Sequence, residues 1–127
     1  MPYESYLLEG EPILYTALID PFTTEDMEAM WTYNREIRER FTRKLHVLLD
    51  VQRLKKGPPH GAIRGWRESS LTHENAGNIA LVGANAITRF IANTVLWMAK
   101  FDRLQFFETQ EDGLAYLRHI VAQEDAE

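Results

Sequence analysis

The chain has 127 residues, 45% of them apolar, no cysteine, and 19 acidic against 14 basic side chains, a formal charge of −5. That length suits one domain around one core, and the composition is that of a globular chain rather than a disordered one. Without a thiol, disulfide frameworks, cysteine zinc sites, iron–sulfur clusters and cysteine nucleophiles are excluded.

Two short apolar runs open the chain. Tyr6-Leu7-Leu8-Glu9 and Ile13 to Ile19 are rich in aromatic and β-branched residues, and Gly10-Glu11-Pro12 parts them, which predicts a hairpin. Asp20-Pro21-Phe22 breaks the run. Thr23-Thr24-Glu25-Asp26 then supplies a hydroxyl cap followed by carboxylates suited to the positive end of a helix. Met27, Met30, Trp31, Ile37 and Phe41 recur at helical spacing, so a helix is predicted over 24–41. Leu45 to Val51 is apolar on both alternating faces, the mark of a central strand covered on either side, with Asp50 near its carboxyl end. Lys55 to Gly61 is loop chemistry, and Ala62 to Glu74 suits a second helix. Asn75-Ala76-Gly77-Asn78 reads as a turn before a short buried strand, Ile79 to Gly83. Asn85 caps a helix reaching residue 101, Arg103 to Glu108 is a last strand, and Thr109 caps a closing helix with Leu114, Leu117, Ile120 and Val121 inward. The acidic tail 123–127 is expected to fray, leaving 1–122 as the domain.

The predicted order is ββαβαβαβα, a single α/β domain. Strands alternating with helices imply right-handed crossovers and a mostly parallel central sheet of about five strands flanked by helices, with an antiparallel edge from the hairpin. No run approaches the roughly 18 apolar residues of a membrane-spanning helix. Met1-Pro2-Tyr3-Glu4 lacks the basic-then-apolar form of a signal peptide, so a cytoplasmic protein with no membrane partner is expected.

This succession of elements resembles the STAS domain, the family of the bacterial anti-sigma-factor antagonists and of a broader STAS-like group. Arg103-Leu104-Gln105-Phe106-Phe107-Glu108-Thr109-Gln110-Glu111-Asp112-Gly113-Leu114-Ala115-Tyr116-Leu117 is especially similar to the terminal strand and helix of that group. The resemblance implies a module without cofactor that works by protein–protein contact in signalling or stress response. One departure matters. In the antagonists the loop after the central strand carries an Asp-Ser pair and a glycine at a helix start, and a partner kinase phosphorylates that serine. Here Gln52 to Ile63 holds no serine or threonine, so the phosphoswitch does not carry over, and the later Ser69, Ser70 and Thr72 are not assigned to it.

Charge divides the chain into thirds. Residues 1–50 sum to −5, residues 51–101 to +5 and residues 102–127 to −5. No carboxylate falls between Asp50 and Glu68, whereas Arg53, Lys55, Lys56, His60, Arg64 and Arg67 do. Such a run is either a surface for an acidic or phosphorylated partner or anion, or a solvated loop balanced by acidic neighbours. Asp50 stands where open α/β sheets place ligands; it is a ligand-site carboxylate, or it caps the next turn or pairs with Arg53. Ser70, His73 and Glu74 hold the ingredients of a nucleophilic site on one short stretch, without the separate elements and oxyanion donors such sites use. His46, His60, His73 and His119 show no paired ligand spacing, so no metal is expected. Val82-Gly83-Ala84-Asn85 lacks the lysine and repeated glycines of a nucleotide loop. Aromatics do not interleave the basic run, and no nucleic acid is expected. The helix 85–101 is apolar around much of its circumference, through Ile87, Phe90, Ile91, Val95, Leu96, Trp97 and Met98, which calls for a homodimer face or an apolar ligand. A non-enzymatic contact module is thus the leading expectation. The alternative is a carrier or sensor of a small apolar or anionic ligand, bound between the sheet and that helix.

Overall fold

Alternation along the central strands sorts side chains onto two faces, and both faces are apolar. Leu14, Leu18, Val47, Leu49, Val51 and Leu81 belong to one cluster, and Ile13, Leu48, Ala80 and Val82 to another. A sheet buried on both sides needs helices on both sides. The computed structural model describes residues 3–55 and 74–127. Within them lie β1 (Tyr3–Leu7), β2 (Ile13–Ile19), α1 (Thr24–Glu39), β3 (Leu45–Arg53), β4 (Ala76–Val82), α2 (Ala86–Ala99), β5 (Leu104–Phe107) and α3 (Gln110–Asp125). The strands form one five-stranded sheet in the order β1-β2-β3-β4-β5. Strands β2 to β5 run parallel and β1 pairs antiparallel to β2, so the sheet is mixed. The helix expected from Ala62 falls outside the described residues.

Because neighbouring parallel strands follow one another in sequence, right-handed crossovers put their connecting helices on one face. Met27, Met30 and Ile37 of α1 and Ala92 of α2 accordingly share the first cluster, whereas Leu117 of α3 closes the second. The helix starts follow the cap chemistry. Thr23 Oγ1 accepts the Asp26 N–H at 3.1 Å while Asp26 Oδ2 accepts the Thr23 N–H at 3.0 Å, a reciprocal capping box. Thr109 Oγ1 takes the Asp112 N–H at 3.1 Å.

Several boundaries differ from the expected ones, and four of them do so for a visible reason. The first strand lies earlier, at Tyr3–Leu7, because its inward position is polar: Ser5 Oγ donates to Asn34 Oδ1 at 2.7 Å and lies 2.9 Å from Thr16 Oγ1. Strand β4 begins at Ala76, inside the expected turn. Asn78 N–H donates to His46 Nδ1 at 2.9 Å, and a Cβ on Gly77 would stand 2.5 Å from that same nitrogen. The glycine is therefore a packing requirement of a strand rather than a turn signal. Helix α2 stops at Ala99 because Lys100 turns left-handed (φ 54) and returns Phe101 to the core, with Phe101 N–H donating to Leu96 O at 3.0 Å. The closing helix runs to Asp125, into the acidic tail. His46 Nε2 meets Glu124 Oε1 at 2.8 Å, and Arg43 meets Asp125 at 2.9 Å.

His46 is 1% exposed. Its Nδ1 accepts from Asn78, which leaves Nε2 as the N–H donor to Glu124. Two substitutions test this arrangement. Gly77→Ala forces the imidazole or the Leu45 carbonyl to move and is expected to cost about 1–3 kcal/mol. Glu124→Ala strands a buried donor and is expected to cost about 1–3 kcal/mol. Both are read as a lower urea midpoint at an unchanged slope.

Candidate functional site

The carboxyl ends of parallel strands are where an open α/β sheet forms its crevice. Here that edge holds Asp50, Gln52 and Arg53 of β3 together with Glu108, Thr109 and Gln110 at the start of α3, around an open depression of about 410 Å³. Asp50 is 6% exposed and fully engaged. Its Oδ1 accepts the Gln52 N–H at 3.0 Å, and its Oδ2 accepts the Tyr15 hydroxyl at 3.1 Å and Gln110 Nε2 at 2.9 Å. Gln110 Nε2 also donates to the Tyr15 oxygen at 2.8 Å, closing a three-residue ring of hydrogen bonds across β2, β3 and α3. Gly83 ends β4 with φ 75, and the Gln52 side chain lies across the place a Cβ would take. The crevice floor thus depends on a glycine.

The Tyr15 phenol is pushed up to about 12. Burial is the largest cause, followed by the negative charge of Asp50 and its hydrogen bond, with Arg53 opposing. Tyr15 therefore keeps its proton well past the ordinary phenol range. The three bonds to Asp50 fix its carboxylate in place, and the ring positions the edge of the crevice.

Neither structural role expected of Asp50 takes the expected form: its bond to the Gln52 N–H lies within β3, at the register shift beside β2, rather than in the next turn, and Asp50 makes no ion pair with Arg53. Arg53 instead stands 3.6 Å from Glu4, with its side chain 49% exposed. Lys55 is fixed through its backbone: its N–H donates to Asp20 Oδ2 at 2.8 Å, and its carbonyl accepts from Asn85 Nδ2 at 3.3 Å. That second bond sets the start of the basic segment beside the first turn of α2. Lys56, His60, Arg64 and Arg67 lie outside the described residues, as do Ser69, Ser70, Thr72 and His73. Between β4 and α2, Asn85 is a plain cap whose Oδ1 accepts the Thr88 N–H at 2.9 Å.

Tyr15 and Gln110 were not singled out by sequence. They meet Asp50 from 35 and 60 residues away. Strand parity carries a signal for the first, because Tyr15 lies two positions after the buried Ile13 and shares its face.

A second surface lies on the far side of the first helical layer. Thr88, Ala92 and Val95 of α2 are buried against the sheet. On its opposite side Ile87, Phe90, Trp97 and Met98 are 61%, 73%, 81% and 45% exposed. A depression of about 670 Å³ adjoins them at the carboxyl end of the helix, lined by Leu96, Trp97, Met98, Lys100, Phe101 and Asp102.

No family model matches the chain, and neither a curated protein nor a solved structure matches it significantly. Among the described residues no group of three or more histidines and carboxylates is placed to hold a metal ion. No described helix is long and apolar enough to cross a membrane.

The hydrogen-bonded ring makes a spectroscopic prediction. In an ultraviolet titration of the folded protein Tyr15 ionises near pH 12, and Asp50→Asn moves its midpoint down toward the ordinary value near 10 without reaching it, since burial persists. Because the folded pKa is raised, the stabilisation is complete below about pH 10 and is lost as pH rises toward 12.

Proposed function

We propose that this chain is a STAS-like, non-enzymatic module that acts by protein–protein contact, of the kind that serves bacterial signalling or stress response. One observation carries the proposal: α2 is apolar on two opposite sides, and among the described residues only the side facing the sheet is covered, while Ile87, Phe90 and Trp97 stand exposed. Monomeric proteins scatter exposed apolar residues singly, whereas aligned large ones mark a surface that another protein covers. The hairpin followed by parallel strands in sequential order supports the STAS-like assignment. The occupied acceptors of Asp50 support a non-catalytic role for the crevice.

Lys55, at the described start of the basic run, adjoins the amino end of α2 through the bond from Asn85 to its carbonyl, so that start lies beside the apolar stripe. Positive charge steers encounter with an acidic or phosphorylated partner, and buried aromatics then hold it. For the alternative, a ligand carried between sheet and α2, the described inner side of the helix offers little room, since Ala92 and Val95 are each 1% exposed.

Affinity capture from the protein's own cell lysate tests the proposal. The tagged wild type is expected to retain a protein partner, foreign or identical, and the double variant Phe90→Glu, Trp97→Glu to lose it. Neutralising Arg53, Lys55, Lys56, Arg64 and Arg67 together is expected to slow capture and remove its salt dependence. Unchanged recovery in both variants overturns the contact module. A small-molecule mass co-purifying in native mass spectrometry favours the carrier instead.

A further inference from the structure

We propose that the outer face of α2 is self-complementary, and that two copies of this chain pair through it, antiparallel, about a two-fold axis passing beside Thr94. The proposal rests on the contact-module reading and names the occupant of its apolar surface. Ile87, Phe90, Thr94 and Trp97 follow one another at spacings of three and four, so they lie along one side of the helix over about 15 Å. The small residue sits at the middle and the large ones toward the ends. When two such stripes cross antiparallel, the middles allow close approach and the ends interdigitate. Phe90 then opposes Met98 of the second copy, and Trp97 opposes Ile91. Ile87 reaches toward Phe101 and the depression of about 670 Å³ beside it.

Three observations favour an identical partner. The first is charge. Arg89 is the one charged side chain between Ala86 and Ala99, and it is turned aside: its Nε donates to Ala84 O at 3.2 Å and its guanidinium lies 4.8 Å from the Phe106 ring centre. Pairing two copies therefore brings no like charges together, while a charged partner finds no complement on the stripe. The second is polarity. The Thr94 hydroxyl already donates to the Phe90 carbonyl at 2.9 Å, so excluding water from the stripe leaves no hydroxyl donor unpaired. The third is area. A large side chain buries roughly 150–250 Å², so the four exposed residues offer on the order of 500 Å² per copy. Two copies bury roughly 1,000 Å², the size at which a specific interface begins. The pairing is therefore of the weak, concentration-dependent class.

Sedimentation equilibrium of the purified full chain, with and without substitution, tests this. The wild type is expected to pass from monomer to dimer with rising concentration. Trp97→Glu is expected to raise the dissociation constant about thirtyfold or more, with an unchanged far-ultraviolet spectrum and an unchanged melting temperature at concentrations where both proteins are monomeric, because Trp97 is 81% exposed within one copy. Since the chain has no cysteine, Thr94→Cys is a clean second probe, and mild oxidation is expected to give a covalent dimer. A wild type that stays monomeric overturns the pairing, as does a dimer that survives Trp97→Glu and leaves Cys variants uncrosslinked. A monomer whose introduced thiol resists maleimide shows the stripe covered by this same chain and equally overturns it. If the wild type is monomeric yet Phe90→Glu, Trp97→Glu abolishes capture of a foreign protein, the pairing falls and the contact module stands; if capture is also unchanged, both fall.

Discussion

Helix α3 is held to its face of the sheet by two buried polar groups of one strand, and the rest of that side depends on them. His46 and Asp50 stand four residues apart on β3 and project to the same face. The first meets Glu124 near the end of the helix and the second meets Gln110 at its start. Four strand residues span about 13 Å and fourteen helix residues about 21 Å, so long side chains reach inward from both helix ends to close the difference. Between the two pins Leu117 is wholly buried. A bidentate pair from Arg118 to Glu11, at 2.7 and 3.0 Å, adds a tie to the hairpin and holds the Glu11 carboxyl below its usual range. Hydrophobic burial gives the helix its place, and the polar pins give it one register.

The two faces of the sheet have different consequences. The α3 side is closed by polar pins and ends in a crevice whose floor is hydrogen-bonded. On the other side α2 meets the sheet with Thr88, Ala92 and Val95 and turns Ile87, Phe90 and Trp97 outward. A helix that only completed a fold would carry polar groups there. The asymmetry separates a hydrogen-bonded polar edge from an exposed apolar stripe within the described residues.

Much of the architecture was legible because periodicity and caps agree. Thr23, Asn85 and Thr109 each begin a helix where their side chains suggest it, and the continuous apolar run Leu45 to Val51 is the central strand. The two misplaced strand starts share one cause: the inward residues there are polar or lack a side chain. Ser5 enters the interior bonded to Asn34, and Gly77 makes room for His46, so neither leaves a hydrophobic signature. The crevice was half legible. Asp50 stood out by its position at a strand end, but its partners Tyr15 and Gln110 are brought to it only by strand order and helix docking. The outward stripe of α2 was visible as excess apolarity, while which side meets the sheet required the packing.

Helix α3, made after every strand of the sheet, also sets when this face of the sheet is closed. The bonds from α3 reach back 60 residues to Asp50, 78 to His46 and 95 to Tyr15. During synthesis the sheet face carrying Ile13, Leu48 and Val82 has no cover until residues 110–125 have left the ribosome. While the strands are being made, the nascent chain therefore leaves an apolar plane open to water, and the order of synthesis alone makes α3 the lid that closes it.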